Sequence, residues 1–298
     1  MSCTILITGS NGLLGQKLVH LLKEKYNVIA TSLGSCLISD QSGFIYQSLD
    51  ITNEYGLRKI FNIYRPNYVI NTAAMTNVDA CEDYKDQCDD INFKAVGYIS
   101  RECEKYNSHL IHISTDFIFD GKNGPYDEDD VANPLSYYGL SKWKSEQLLL
   151  KSNCKWAILR TIILYGTAEN LERNNIVLWA RKALKNGQEL NITDDQFRSP
   201  TLAEDLAHAC YLVIEKEAIG VYNASGKDIM SIYEMVERMA DFYQCDKSKI
   251  NRISSTTLNQ KAKRPPKTGF ILDKSIKELG YKPHSFEEGL NLLEKQLN

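Results

Sequence analysis

Short apolar runs alternate with helix-period segments over the first half of the chain. TILIT runs into LLGQKLVHLLKEK; NVIATS and IYQSLD are followed by EYGLRKIFNIY; NYVINTAA leads to a long helix through VGYISRECEKY; HLIHIST ends the series. Strands that are apolar on both faces and joined by helices predict an α/β fold with a doubly wound parallel sheet. This domain is expected to span residues 1–165, ending at KWAILRTIILYG. Beyond it the pattern loosens into a helix (NNIVLWARKALKNG), a short strand (ELNIT), a helix (LAEDLAHACYLVIEK), the segment GVYNAS and a proline-containing tail. That is too little strand material for a second sheet of the same kind. Residues 166–298 are therefore expected to form a smaller C-terminal lobe, with part of 199–225 packing back on the first domain and substrate held in the cleft between them.

At 43% hydrophobic and 24% charged, the 298 residues suffice for an ordinary globular core. The net charge is −3 with both signs mixed along the chain, so no basic face points to nucleic acid or anionic lipid, and a small molecule is the expected partner. No run approaches ~18 uninterrupted apolar residues and the N-terminus lacks the build of a secretory leader, so a soluble, cytoplasmic protein without a membrane partner is expected. The cysteines (Cys3, Cys36, Cys81, Cys88, Cys103, Cys154, Cys210, Cys245) form no C-x-x-C pair and read as reduced thiols. The histidines (His20, His109, His112, His208, His284) read as core or surface residues rather than ligands, and no metal site is expected. Consecutive carboxylates after Tyr126 read as a solvated loop, and Trp143, Trp156 and Trp179 as packing residues.

TILIT passes directly into Gly9-Ser-Asn-Gly12-Leu-Leu-Gly15 and then into a helix. In that context glycines let the backbone approach a pyrophosphate, whose charge is favoured by the unpaired N–H groups and positive dipole end of the helix. The alternative, a glycine turn that only packs helix on strand, does not account for strand, loop, helix and chain position together. At the end of NVIATS an acid would accept the adenosine ribose hydroxyls and a base would hold a 2′-phosphate. No Asp or Glu occurs from Asn27 to Ser39 and no Lys or Arg from Tyr26 to Leu57. The missing carboxylate removes a repulsion against NADPH, which is the expected cofactor, with NADH as the alternative.

LSYYGLSKW sets two tyrosines before a lysine. Pro134 is expected to open a helix through LSYYGLSKWKSEQLLL. At ~100° per residue, Tyr138 and Lys142 share a face and Tyr137 is rotated off it. A phenol is a poor acid or base at neutral pH, and a nearby ammonium is expected to lower its pKa. HLIHISTDFIFDG ends a strand in Ser114-Thr115-Asp116, where side chains face the ligand crevice of such sheets and a hydroxyl can reach a substrate carbonyl.

Glycine loop, Ser-Thr-Asp and Tyr-x-x-x-Lys in this order resemble the extended short-chain dehydrogenase/reductase superfamily with its Rossmann domain. The segments VINTAAMTNVDACE, STDFIFDG, NPLSYYGLSK, DDQFRSPTLAEDLA and AKRPPKTGFILDK are similar to those of the dTDP-4-dehydrorhamnose reductase family. The resemblance implies Thr115, Tyr138 and Lys142 as catalytic residues. It implies Gly9, Asn11, Gly12, Leu13 and Gly15 around the pyrophosphate, Asp50 and Ile51 near the adenine, and Ala73 and Ala74 beside the cofactor. Thr115, Asp116, Asn175, Arg198 and Arg264 fall on the nucleotide-sugar side.

The implied chemistry is reduction of a ketone at sugar carbon 4, with Tyr138 donating a proton, Thr115 polarising the same oxygen and Lys142 also holding the nicotinamide ribose, as in dTDP-L-rhamnose biosynthesis. Phe117 stands where related 4,6-dehydratases carry an acid, which disfavours dehydration. Two departures bear on the sugar. Ile163 stands where the family often has an aromatic, and Arg198 where it has glycine, either to pair with a substrate anion or to form an ion pair. The loop GTAENLERNN is also longer than usual. The methionine adenosyltransferase beta subunit, a regulatory protein, and sugar-nucleotide epimerases resemble the same family and are the competing readings. Oligomeric state is not fixed, and a homodimer stays open.

Overall fold

The computed structural model describes residues 3–171 and 175–297. In chain order, β1 (Thr4–Thr8) is followed by α1 (Leu13–Leu22), β2 (Asn27–Ser32), β3 (Phe44–Ser48), α2 (Glu54–Tyr64), β4 (Tyr68–Asn71), α3 (Val78–Asp83), α4 (Lys85–Asp89), α5 (Ala95–Tyr106), β5 (His109–Thr115), α6 (Tyr137–Leu150) and β6 (Lys155–Thr161). The remainder is β7 (Leu164–Tyr165), α7 (Ile176–Lys185), β8 (Leu190–Thr193), β9 (Phe197–Arg198), β10 (Thr201–Leu202), α8 (Ala203–Lys216), β11 (Gly220–Asn223), β12 (Met230–Ser231), α9 (Ile232–Tyr243), β13 (Ile250–Ile253) and α10 (Phe286–Leu297). A seven-stranded sheet in the order β11-β6-β5-β4-β1-β2-β3 is parallel throughout, the doubly wound arrangement.

The period of two along these strands sorts the core into two layers. Ile5, Ile7, Ile70, Ile111 and Leu159 pack with α1 and α8 on one face. Leu6, Val69, Leu110 and Ile158 pack with α2, α5 and the end of α6 on the other. GVYN of β11 pairs with β6, Gly220 opposite Ala157 and Asn223 opposite Arg160, so the chain returns to the first sheet after leaving it. The second lobe has its own apolar cluster, built on α7, α9 and α10 around Ala180, Ile192, Met235, Met239 and Leu290, with β8 and β13 paired in parallel.

Two helices differ from expectation. The long helix before β5 is broken into α3, α4 and α5, with a π-turn at Asp90–Lys94. Inside that turn, Asn92 accepts from the Met75 amide (2.8 Å) and donates to the Met75 carbonyl (3.0 Å) and to Ser141 Oγ (3.1 Å), ties that a regular helix would not aim correctly. The helix assigned to start at Pro134 starts at Tyr137 instead, because Ser136 caps it by accepting from the Gly139 amide at 3.2 Å.

His109 opens β5 at 3% exposure, and burial, with Lys155 nearby, pulls its pKa down from 6.5 to about 4. A base whose pKa is depressed by folding stabilises the protein fully above the unfolded value and loses that contribution as pH falls towards the folded one. Between pH 7 and pH 5 the expected loss from His109 is about 2 kcal/mol. Urea unfolding at the two pH values tests this: His109→Phe should flatten the dependence, and an undiminished dependence would place its source elsewhere.

Candidate active site

The carboxyl end of the sheet opens into a cleft of about 890 Å³, bounded by the glycine loop on one side and the second lobe on the other. Gly9 has φ +69°, and a Cβ there would lie 2.7 Å from the Ala73 nitrogen; one on Gly15 would lie 2.3 Å from the Gly9 carbonyl oxygen. The loop is thus pressed both on itself and on the end of β4, and only glycine fits. Gly12 caps α1 without a side-chain hydrogen bond, and Gly12, Leu13 and Gly15 line the cleft. An uncapped helix N-terminus without an acidic first turn, in the wall of a cleft of this size, fits a pyrophosphate.

Not every expected cofactor residue reaches the cleft. Ala74 lines it, whereas Ala73 backs Gly9. Asn11 is committed elsewhere, its Nδ2 donating to the Ser35 carbonyl (2.8 Å) and its Oδ1 accepting from the Leu37 amide (2.9 Å), which shapes the loop after β2. Asp50 accepts from the amide and hydroxyl of Thr52, and Ile51 is buried in the sheet core. Neither Asp50 nor Ile51 lines the cleft.

Tyr138, Lys142, Thr115 and Asp116 come together on the cleft floor. Tyr137 points elsewhere, its ring under Lys85 and Lys144 at 5.3 and 5.4 Å and its pKa pushed up by burial to about 12. The expected acidification of Tyr138 is corrected. Burial raises the phenol's pKa, and the hydrogen bond to Thr115 opposes this only in part. Lys142 Nζ lies instead 3.1 Å from His112 Nε2, and burial lowers its pKa to about 8 against the opposing pull of Glu146 and Cys88. Thr115 Oγ1 donates to Asp116 Oδ1 (3.1 Å) and accepts from the Phe117 amide (3.2 Å).

Behind these residues lies polar machinery that the sequence reading missed. Glu146, fully buried, accepts from Ser114 Oγ (2.5 Å) and from Arg160 Nη2 (2.8 Å) and Nε (3.2 Å). His112, also fully buried, contacts Asn71 at 3.1 Å, Ser145 at 3.0 Å and Lys142. A signal was present: Tyr138, Lys142 and Glu146 are spaced by four, and the inward positions of β1, β4 and β5 all turn polar at their carboxyl ends.

On the substrate side, Asn175, Arg198 and Arg264 line the cleft. Asn175 caps α7 by accepting from the Leu178 amide (3.1 Å) and donates to the Gly166 carbonyl (2.8 Å). Arg198 is 2% exposed, donates to the carbonyls of Phe197 and Pro265 (2.7 Å each), and places Nε 3.6 Å from Asp116 Oδ2. Of its two readings, the ion pair is the one observed, though buried rather than at the surface. Arg264 makes a two-pronged contact with Asp79 at 2.7 and 3.2 Å. Trp179 is a cleft residue at 45% exposure rather than a core one, while Trp143 and Trp156 pack against the two faces of the sheet. Ile163 lines the cleft with φ +30°, a strained backbone for a β-branched residue. Glu128, from the acidic run, accepts from the Asn223 amide of β11 at 2.8 Å. Among the described residues no group of three or more His, Cys, Asp or Glu is placed to hold a metal, and no helix is long and apolar enough to cross a membrane. All eight cysteines are free thiols.

The chain is similar to dTDP-4-dehydrorhamnose reductase of Aggregatibacter actinomycetemcomitans, 31% identical with 96% of each protein covered. It is also similar to methionine adenosyltransferase 2 subunit beta of Bos taurus, 30% identical over 85% of this chain and 75% of that one. A crystal structure of a dTDP-4-dehydrorhamnose reductase from Clostridium acetobutylicum superposes with a TM-score of 0.86 at 31% identity, covering 99% of both chains. One from Bacillus anthracis, in complex with NADP, gives 0.87 at 27% identity over 99% of this chain and all of that one. The family model described as the RmlD substrate binding domain matches residues 3–298, and with it the conclusion is plain: the chain belongs to the dTDP-4-dehydrorhamnose reductase family of extended short-chain dehydrogenases/reductases.

Proposed function

We infer that this chain is an NAD(P)H-dependent reductase acting on the 4-keto group of a nucleotide-linked 6-deoxy sugar. The observation that carries the reading is the meeting of Tyr138, Thr115 and Lys142 in a cleft whose other wall is an uncapped, glycine-rich helix N-terminus. The amides of that terminus would hold the pyrophosphate of the dinucleotide, and NADP in the Bacillus anthracis relative supports a cofactor of this class. When bound, the reduced nicotinamide supplies a hydride to the ketone carbon. Tyr138 gives its proton to the oxygen that becomes an alkoxide, and a phenol whose pKa is raised stays protonated for that role at neutral pH. The single Thr115 proton faces Asp116, so Thr115 orients the phenol and must turn from Asp116 before it can polarise the carbonyl. Lys142 lies one turn from Tyr138 and lines the same cleft, where it would hold the nicotinamide ribose. Arg264, once released from Asp79, offers a two-pronged donor for the sugar's phosphates.

A second reading, a regulatory subunit without turnover, is favoured by the similarity to the methionine adenosyltransferase beta subunit. Incubation with NADPH or NADH and dTDP-4-keto-6-deoxyhexose decides between them. Oxidation of the reduced nicotinamide supports the reductase. Dinucleotide binding without turnover, together with a stable complex with an adenosyltransferase, supports the other.

In the active protein Tyr138→Phe should lower kcat by about 10²–10⁴-fold with an unchanged thermal midpoint, while Tyr137→Phe keeps most activity. Equal losses from the two would refute the assignment of roles along α6. Lys142→Ala should impair both NADPH binding and turnover. Ser32→Asp, at the end of β2, would set a carboxylate against a 2′-phosphate and should weaken NADPH about tenfold or more while sparing NADH, read by nucleotide fluorescence; parallel losses for both nucleotides would count against the placement of the ribose.

A further inference from the structure

Three neighbouring strands carry one polar rung beneath α6. Thr8 lies opposite Asn71 across β1 and β4, and Asn71 opposite His112 across β4 and β5. All three are buried, and two residues earlier on the same face stand Leu6, Val69 and Leu110, fully buried and apolar. A polar rung in a sheet interior destabilises unless its members are bonded. Here they are bonded in a single chain that ends at Lys142.

The geometry gives each hydrogen bond a direction. Thr8 Oγ1 to Asn71 Oδ1 is 2.6 Å, the length of an O–H···O bond, which turns the amide nitrogen to His112 Nδ1 at 3.1 Å. An amide nitrogen only donates, so Nδ1 accepts and the proton of the neutral ring sits on Nε2. The other side agrees. Ser145 Oγ, 3.0 Å from Nε2, donates its own proton to the Lys142 carbonyl at 2.7 Å and is left to accept. Lys142 Nζ lies 3.1 Å from the same Nε2–H, so that one proton is shared between Ser145 Oγ and the amine. An ammonium at that place sets donor against donor, whereas a neutral amine accepts.

We propose that His112 is a positioning residue for Lys142, favouring the neutral, docked form of its amine through Nε2–H, and that the rung ties this preference to Thr8, the residue next to Gly9 of the glycine loop. The imidazole is itself kept neutral by burial and, whenever Lys142 is charged, by its ammonium as well. The other titratable or charged groups facing the amine are Tyr138 and Glu146 on its own helix, the latter paired with Arg160 of β6, and the Cys88 thiol of α4. Glu146 and Cys88 favour the ammonium, and burial brings its titration down to about 8; the Nε2–H contact at 3.1 Å acts in the same direction as burial. Above that pH the amine rests on His112; below it the ammonium is turned away and can act on the cleft side. The functional meaning rests on the reductase reading, but the titration does not.

The carbon-13 Cε resonance of Lys142, identified by its loss in Lys142→Met, reports the midpoint in the whole protein without added ligand. His112→Leu leaves the amine at least as buried, so burial alone predicts an unchanged or lower midpoint. Loss of the Nε2–H donor predicts a rise of about half to one pH unit. His112→Gln, which keeps an N–H at similar reach, should stay near wild type. Thr8→Val, which frees the Asn71 amide to turn and lets Nε2 accept, should raise the midpoint even if His112→Leu does not fold. The pH at which NADPH affinity falls should move with the midpoint. An unchanged or lowered midpoint in His112→Leu or, failing that, in Thr8→Val overturns the proposal. A shift as expected in a protein that reduces no 4-keto sugar leaves it standing and removes the sugar reading instead.

Discussion

The site depends on one close approach. A Cβ on Gly139 would lie 2.1 Å from the Phe117 carbonyl oxygen, so the first turn of α6 can sit on the end of β5 only because that position has no side chain. Ser136 fixes where the turn starts by capping the Gly139 amide. Once this contact is made, the helical repeat does the rest. Tyr138 falls beside Thr115, Lys142 one turn on falls beside His112, and Glu146 a turn further meets Ser114 and Arg160. A glycine near a helix start is ordinarily a weak spot; here it sets the distance between the Tyr138 phenol and the strand end.

The face of α6 turned to the sheet is polar, which demands compensation. Gly139, Ser141, Lys142, Ser145 and Glu146 are all buried on it. Burying Glu146 and Arg160 costs desolvation of both ions, and the pair recovers it through several hydrogen bonds, including Arg160 Nη1 to the Glu128 carbonyl at 2.9 Å. Such a pair adds little net stability, yet removing one member typically costs about 3–5 kcal/mol because the other charge is stranded. Its effect is to make one seating of α6 far better than its neighbours. The Asn92 bonds to Met75 and Ser141 brace the same helix from the side of the π-turn.

The parallel sheet was legible because its strands are apolar on both faces and end in the right order, and the glycine loop because glycine spacing reports backbone demands directly. The Tyr138–Lys142 face was legible for the same reason, since helical geometry is local. What escaped were features set by register between distant strands. Nothing local in NTAA or HLIHIST says that Asn71 and His112 will be neighbours, and only the pairing of β4 with β5 makes them so. Burial was equally out of reach: the rule that an ammonium acidifies a nearby phenol holds where burial costs neither group its charge, and here Lys142 is buried, Tyr138 is half-buried, and desolvation dominates both. Arg198 illustrates the same limit, since its partner Asp116 lies on another element and its carbonyl acceptors Pro265 and Pro266 on a third.

The opposed shifts of the phenol and the amine bear on the direction of chemistry. In an epimerase the tyrosine must act first as a base and then as an acid, so burial that raises the phenol's pKa opposes the first step and not the second. A reductase begins with a ketone, and the alkoxide produced is a far stronger base than any phenolate, so a phenol of raised pKa still transfers its proton readily. The Lys142 amine, with its pKa lowered by burial to about 8, holds its proton more loosely than an ordinary lysine. Burial therefore distinguishes two residues one turn apart, a phenol that holds its proton tightly and an amine that holds its own loosely, and in the reductase proposed above the phenol is the proton donor.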